Sequence, residues 1–222
     1  MKMSPNKEDY IKAIHSLNGT NEVVSNKSIA NELSVSAASV TDMNTRLVKR
    51  GLVTHTPYKG VKLTVKGTQV ANQLLRKHRI WEVFLYEKLG FKWDEIHNEA
   101  DRLEHASSDK LIQRLNEFLD YPKYDPHGGM IPNLDGTMDK QNSPLISLTA
   151  IQIGDRFIVK EVPDEDVKLL HYLFDKGFSI NDKYQLIDAN TYDGMITIKE
   201  IGSAKQLTIS GKAIDKIKIF KL

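Results

Sequence analysis

The hydrophobic period changes near residue 146 of this 222-residue chain, and that change limits the possible folds more than any other feature. Before it, apolar side chains recur every three or four residues, which predicts helices at residues 5–17, 25–33, 37–50, 66–89, 97–105 and 108–119. After it, short apolar segments predict strands at residues 156–159, 183–187, 195–198, 206–209 and 216–219, with one helix at 164–176. A helical part followed by five evenly spaced strands predicts an α+β chain that ends in a small β-barrel.

The second and third predicted helices are separated by a tight break at Val35-Ser36, which is the pattern of a helix-turn-helix. Two short strands follow, at residues 52–55 and 61–64. They flank Pro57-Tyr58-Lys59-Gly60, which predicts a β-hairpin with a basic, aromatic tip. The combination predicts a winged helix-turn-helix domain.

The charge of the N-terminal part favours DNA as its partner. Residues 1–72 carry ten Lys or Arg against five Asp or Glu, whereas residues 76–127 carry nine against eleven. Small side chains at the start of the third helix allow close approach to base edges, and basic side chains can contact phosphates. The candidate DNA-binding residues are Ser36, Ala37, Ala38, Ser39, Thr41, Asp42, Asn44, Arg46, Lys49, Arg50 and Lys59. The alternative is a winged helix that binds another protein.

The segment from His97 to His105 groups candidate metal ligands on one helix face. Asp101, Glu104 and His105 fall at i, i+3 and i+4, and His97 lies one turn before Asp101. Two carboxylates one turn apart repel each other unless a positive charge lies between them, and a divalent cation supplies that charge. The alternative is a solvated polar face that contains a pH-sensitive histidine.

A second pair occurs one helix earlier, where His78 and Glu82 lie at i and i+4. Paired imidazole and carboxylate ligands on neighbouring helices are the usual basis of metal sites in helical bundles. The alternative for Glu82 is a surface salt bridge to Arg79. The loop around Pro126 adds Asp125 and His127, for which the alternative is a simple turn.

Composition excludes several other classes of protein. The chain has no cysteine, which rules out disulfides, thiolate zinc sites and cysteine nucleophiles. No apolar segment reaches the length of a membrane span, and the first residues lack a signal-peptide pattern, so we predict a cytoplasmic protein without a membrane partner. A metal-dependent hydrolase is the enzyme alternative. No Ser or Cys nucleophile arrangement supports it, so we predict that the chain is not an enzyme.

The whole chain resembles the diphtheria toxin repressor/manganese transport regulator family of metal-dependent repressors. The resemblance rests on Lys7-Glu8-Asp9-Tyr10, Arg76-Lys77-His78-Arg79, the segment from His97 to His105, Pro126-His127-Gly128-Gly129 and Val162-Pro163-Asp164-Glu165-Asp166. It implies a winged helix, a helical dimerisation domain and a C-terminal FeoA-like β-barrel. It further implies a homodimer that binds operator DNA of metal-uptake genes when Mn²⁺ or Fe²⁺ is bound, with no small organic ligand.

The resemblance also implies about two metal sites per subunit. The first would use Glu82, Asp125 and His127 with an acid of the C-terminal domain, Glu165 or else Asp164, and with His78 as a further ligand. The second would use Asp9, Asp101, Glu104 and His105, with His97 nearby. On residue pattern alone, Asp9 and Asp164 are ordinary acids near a helix start.

Three positions depart from the family pattern. Asp101 stands where iron-sensing members have a Cys, Asp125 stands where streptococcal relatives have a Cys, and Lys12 stands where some manganese sensors have a Glu ligand. Sites made of carboxylate and imidazole favour hard or borderline ions, so we predict Mn²⁺, with Fe²⁺ as the alternative. The predicted domains are 1–72 (winged helix), 73–140 (helical metal-binding and dimerisation) and 146–222 (β-barrel).

Overall fold

The structure is a computed structural model that describes residues 3–140, 144–164, 166–190 and 192–222. Its helices are α1 Pro5–Ser16, α2 Asn26–Glu32, α3 Ala37–Lys49, α4 Val65–Leu89, α5 Ile96–Ala106, α6 Asp109–Phe118, α7 Val167–Asp175 and α8 Gly211–Ile214. Its strands are β1 Val53–Thr56, β2 Gly60–Leu63, β3 Ile146–Ser147, β4 Arg156–Glu161, β5 Lys183–Ala189, β6 Ile196–Glu200, β7 Gln206–Ile209 and β8 Lys218–Lys221. All seven predicted helices and all seven predicted strands are confirmed, whereas β3 and α8 were not foreseen.

The chain divides into two compact units. The first contains residues 1–78, 102–112 and 131–139, and the second contains residues 79–101, 113–130 and 140–222. The boundaries fall inside the helical middle of the chain, so α4, α5 and α6 each contribute to both units. The three predicted domain ranges stay a prediction.

The first unit contains the winged helix-turn-helix. The side chains of Ser25 and Ser36 cap α2 and α3 by accepting hydrogen bonds from Ser28 N and Ser39 N. Strands β1 and β2 pair antiparallel, from Val53 opposite Leu63 to Thr56 opposite Gly60. The core is apolar and includes Ile11, Ile14, Ile29, Val40, Leu47 and Val61, each with no measurable exposure. This core positions α3 with its polar face exposed.

The second unit contains a six-stranded antiparallel sheet in the order β3-β8-β4-β5-β6-β7. Bulges interrupt the pairing between Val159 and Glu161 and between Leu186 and Asp188, which bends the strands. Leu169, Leu170 and Leu173 of α7 are buried in the core of this unit. A closed β-barrel was the wrong expectation, because among the described strands the two-residue β3 pairs only with β8 and β7 only with β6, which leaves the sheet open.

Candidate metal centres and nucleic-acid interface

The second unit contains a buried cluster of Glu82, Asp125 and His127, whose ligand atoms all lie within 4.8 Å of one another. Glu82 extends from α4 and has no measurable exposure, and His127 is 1% exposed. His127 Nδ1 lies 3.6 Å from Glu82 Oε1, which is too far for a hydrogen bond. The alternative that Glu82 belongs to a surface salt bridge is therefore wrong, because Glu82 is buried.

The loop that carries Asp125 and His127 is held by its own backbone. Asp125 Oδ1 accepts hydrogen bonds from His127 N at 2.8 Å and from Gly129 N at 2.9 Å. His127 Nε2 lies 2.8 Å from the Trp93 carbonyl oxygen, a contact that directs Nδ1 toward Glu82. Gly128 has φ +89°, and its Cα lies so close to Lys160 O that a Cβ would meet that oxygen at 1.7 Å. The loop is therefore more than a simple turn, since its geometry fixes two potential ligands.

Three further side chains lie next to this cluster within the unit. Glu82, His97 and Asp164 place ligand atoms within 4.8 Å of one another, and His97 Nδ1 is 3.6 Å from Glu82 Oε1. His97 therefore lies in this cluster, whereas we expected it beside the other one. The third is Arg79, whose Nε lies 2.9 Å from Asp125 Oδ2. Glu165, our first choice for the acid of the C-terminal domain, lies outside the described residues.

The electrostatics of this cluster favour a bound cation. Burial, and then the charge of Glu82, raises the pKa of Asp125 to about 6. Burial alone lowers the pKa of His127, but the carboxylates of Glu82, Asp125 and Asp164 outweigh that effect and raise it. The rise for His127, and the contribution of Glu82 to the rise for Asp125, indicate that several carboxylates lie close together here. Among the described residues, Asp125 Oδ2 and His127 Nδ1 are buried without a hydrogen bond, and both are atoms that coordinate divalent metals.

The first unit contains a second cluster, formed between α1 and the C-terminal end of α5. His105 Nε2 lies 3.0 Å from Asp9 Oδ1 and 3.4 Å from Glu104 Oε1. Glu104 is 1% exposed, and its Oε2 lies 2.8 Å from His78 Nδ1. Asp9, Glu104, His105 and His78 are thus brought together, and the solvated-face alternative is wrong for Glu104.

Asp101 belongs to the second unit, where its Oδ2 lies 3.8 Å from His97 Nε2 and its side chain is 45% exposed. Sequence reasoning missed Glu8, whose Oε2 lies 2.7 Å from His105 Nδ1. It singled out Lys12 as a departure from the family pattern but did not foresee that its Nζ lies 2.6 Å from Glu104 Oε1. The available signal was helical spacing, because Glu8, Asp9 and Lys12 share one face of α1.

Helix α3 presents an exposed polar face, the candidate nucleic-acid interface. The exposed residues are Ser36, Ala37, Ala38, Ser39, Thr41, Asp42, Arg46 and Lys49, together with Lys59 at the hairpin tip, whereas Arg50 is half-buried. Arg46 forms an exposed ion pair with Asp42 at 2.7 Å. Asn44 was expected on this face but is buried, where its Nδ2 donates to Asn26 Oδ1. It belongs to the contact between α2 and α3.

Three family models match successive parts of the chain. The N-terminal DNA binding domain of iron dependent repressors matches residues 2–61, their metal binding and dimerisation domain matches residues 64–133, and the FeoA domain matches residues 146–219. A solved manganese-dependent transcriptional repressor in complex with manganese is 32% identical over 97% of this chain and 100% of that one, with a TM-score of 0.87. The manganese regulator SloR is 39% identical, over 99% and 100%, with a TM-score of 0.78.

Among curated proteins, the diphtheria toxin repressor of Corynebacterium glutamicum is 29% identical over 208 residues, which are 90% of each chain. The chain belongs to the diphtheria toxin repressor family. As a member of this family it is a metal-dependent transcriptional repressor and not an enzyme, and the hydrolase alternative has no support. In the described part of the chain, no helix combines the length and the apolar character that a membrane crossing requires.

Proposed function

We propose that this protein is a homodimeric repressor that binds operator DNA of metal-uptake genes when Mn²⁺ occupies about two sites in each subunit. The observation that carries the proposal is the buried cluster of Glu82, Asp125 and His127. It concentrates carboxylates around an imidazole and contains buried ligand atoms without hydrogen bonds. Arg79 neutralises part of this charge at Asp125, and a divalent cation among the ligand atoms would neutralise the rest.

The donor set supports Mn²⁺ as the physiological ion. Carboxylate and imidazole suit Mn²⁺, and the chain has no cysteine to supply the soft thiolates that favour other metals. Two similar solved structures are described as manganese-dependent regulators, which supports the same choice. Fe²⁺ is the second candidate, because two of the matching family models are described as iron dependent repressors.

In the proposed mechanism, Glu82, Asp125, His127 and an acid of the segment 164–165 would hold one ion. Asp9, Glu104 and His105 would hold the other, with His78 beside them. In each site a bound divalent ion would supply the positive charge that its own carboxylates share. Asp9 lies on α1 of the winged helix, whereas Glu104 and His105 lie on α5. An ion held by ligands from both helices would restrict the position of α1 relative to α5. This restriction would shift the population of conformations toward the one in which α3 is oriented to bind DNA.

Fluorescence anisotropy with operator DNA tests the proposal directly. We expect tight binding in Mn²⁺, weak binding in chelator, and an affinity that falls steeply with salt because phosphate contacts release counterions. Footprinting under Mn²⁺ and under Fe²⁺ at matched free concentration would identify the operator and compare the two ions. Equal tight binding in chelator and in Mn²⁺ would contradict the metal switch.

The exposed face of α3 supports the choice of DNA as the partner. Its small residues near Ser36 would face base edges, while Arg46, Lys49 and Lys59 would contact phosphates. We assign homodimer formation to the helical middle of the chain, within the predicted range 73–140. Analytical ultracentrifugation of the full chain tests that assignment, for which the expected result is a dimer at micromolar concentration.

A further inference from the structure

Lys12 places its ammonium group against a buried carboxylate of the second cluster. Its Nζ lies 2.6 Å from Oε1 of Glu104, whose side chain is inaccessible to solvent, and the Lys12 side chain is 27% exposed. The other oxygen of Glu104 lies 2.8 Å from His78 Nδ1. Nitrogen atoms therefore contact both oxygens of Glu104, as the burial of a carboxylate requires.

The oxygen that Lys12 contacts is also the one that faces the other candidate ligands. Glu104 Oε1 lies 3.4 Å from His105 Nε2, and that same nitrogen lies 3.0 Å from Asp9 Oδ1. Lys12 follows Asp9 by three residues on α1, so both side chains point from the same helix face. The ammonium of Lys12 and a divalent ion held by Asp9, Glu104 and His105 would thus share one oxygen.

We propose that Lys12 is an internal cation that competes with the divalent ion for Glu104, an inference that rests on the proposed function. Because Lys12 already neutralises Glu104, the ion gains less from that carboxylate and must also tolerate a neighbouring positive charge. Lys12 therefore lowers the metal affinity of this site. It raises the free metal concentration at which α1 becomes linked to α5 through the ion.

Glu8 acts on the same site in the opposite direction. Its Oε2 lies 2.7 Å from His105 Nδ1, which leaves Nε2 directed at Asp9 and Glu104. A carboxylate bound to the remote nitrogen of a metal-binding histidine fixes the ring and strengthens it as a ligand. Glu8 is thus a positioning residue. The two side chains provide variants with predicted effects of opposite sign.

The test measures Mn²⁺ binding to the full-length protein by isothermal titration calorimetry, in a His127→Ala background that disables the other cluster. We expect Lys12→Met to lower the Kd for Mn²⁺ by about tenfold or more, because even a screened positive charge at close range weakens the binding of a cation by about a factor of ten. Glu8→Gln should weaken binding by about 10- to 100-fold. Lys12→Arg retains the charge and should keep the affinity close to that of the background protein.

Lys7→Met is the matched control, because it removes the same charge from the same helix, and its affinity should not change. Urea unfolding provides a readout that does not depend on DNA. In chelator, Lys12→Met should have a lower free energy of unfolding than the background protein, because Glu104 loses its cation. Saturating Mn²⁺ should restore the lost stability and so remove the difference between the two proteins.

Unchanged or weaker Mn²⁺ affinity in Lys12→Met, while the background protein binds Mn²⁺, would overturn the inference and leave the proposed function standing. An equal gain of affinity in Lys7→Met would also overturn it, because the effect would then reflect net charge alone. If the wild-type protein binds no Mn²⁺ at all, the proposed function fails and the inference fails with it.

Discussion

Replacement of Asp125 by asparagine removes one charge from the buried cluster while it keeps the shape of the side chain. The amide oxygen can still accept the hydrogen bonds from the backbone N–H groups of His127 and Gly129. The loop geometry should therefore survive. What changes is the repulsion from Glu82 and the ion pair with Arg79, whose Nε lies 2.9 Å from Asp125 Oδ2.

The raised pKa of Asp125 determines how much the substitution should change the free energy of unfolding. Burial, followed by the charge of Glu82, raises this pKa to about 6, against about 3.9 in an unfolded chain. The folded state therefore holds a proton that the unfolded state has already released. The corresponding stability is fully present below about pH 4 and is lost as the pH rises through about 6. The difference of about two pKa units corresponds to about 3 kcal/mol, which is the upper limit for the penalty of ionised Asp125 at pH 7.

Urea unfolding in chelator and in saturating Mn²⁺ measures this effect. In chelator at pH 7, Asp125→Asn should raise the free energy of unfolding by up to about 3 kcal/mol, and the gain should vanish near pH 4. In Mn²⁺ at one thousand times the Kd the order should reverse, because the wild-type protein gains about 4.1 kcal/mol there and the variant gains much less. Asp120→Asn is the control, since Asp120 is exposed and its φ of +57° suits asparagine.

An Asp125→Asn protein that is less stable than wild type in chelator at pH 7 would refute the reasoning. In that case the ion pair with Arg79 would outweigh the burial of Asp125 and the repulsion from Glu82. A variant that keeps the full stabilisation by Mn²⁺ would instead show that Asp125 is not a ligand.

Three further predictions follow from the same contacts. Arg46→Ala should weaken binding to specific and nonspecific DNA alike in anisotropy titrations, whereas Ala38→Gln should change the preferred sequence; a purely nonspecific effect of the Ala38 change would count against base contact. At saturating Mn²⁺, Asp9→Ala and His105→Ala should each weaken the free energy of operator binding by about 1–3 kcal/mol. The double variant should lose little more than either single variant, because both residues act through one ion, and fully additive losses would contradict this. Mn²⁺ binding near pH 6 should release protons from Asp125 and neighbouring groups, measured by calorimetry in buffers of different ionisation enthalpy; a heat independent of buffer would disprove the release.

The secondary structure was largely determined by local sequence. The break at Val35-Ser36 separates α2 from α3 as predicted, and α3 starts at Ala37 and ends within one residue of its predicted end. The five strands after residue 146 appear where apolar residues cluster. These features depend on hydrogen bonds and side-chain burial within a few residues, which a short window of sequence contains.

The local sequence did not show whether the C-terminal sheet is open or closed. Strand β3 has only two residues, too few to produce a pattern, and it pairs with β8 more than seventy residues later. Whether a sheet closes depends on which edges meet and on where bulges bend the strands, and both are properties of long-range pairing. The alternation of apolar residues is the same in an open sheet and in a barrel.

The candidate ligands were also visible in the sequence as residue types, but their grouping was not. His97 was expected near Glu104 and instead lies 3.6 Å from Glu82, and Lys12 contacts Glu104, which follows it by 92 residues. Helical spacing determines which side chains share a face of one helix. Which faces of α1, α4 and α5 meet is decided by the packing of whole helices, because the gain from burying their apolar sides outweighs any single polar contact.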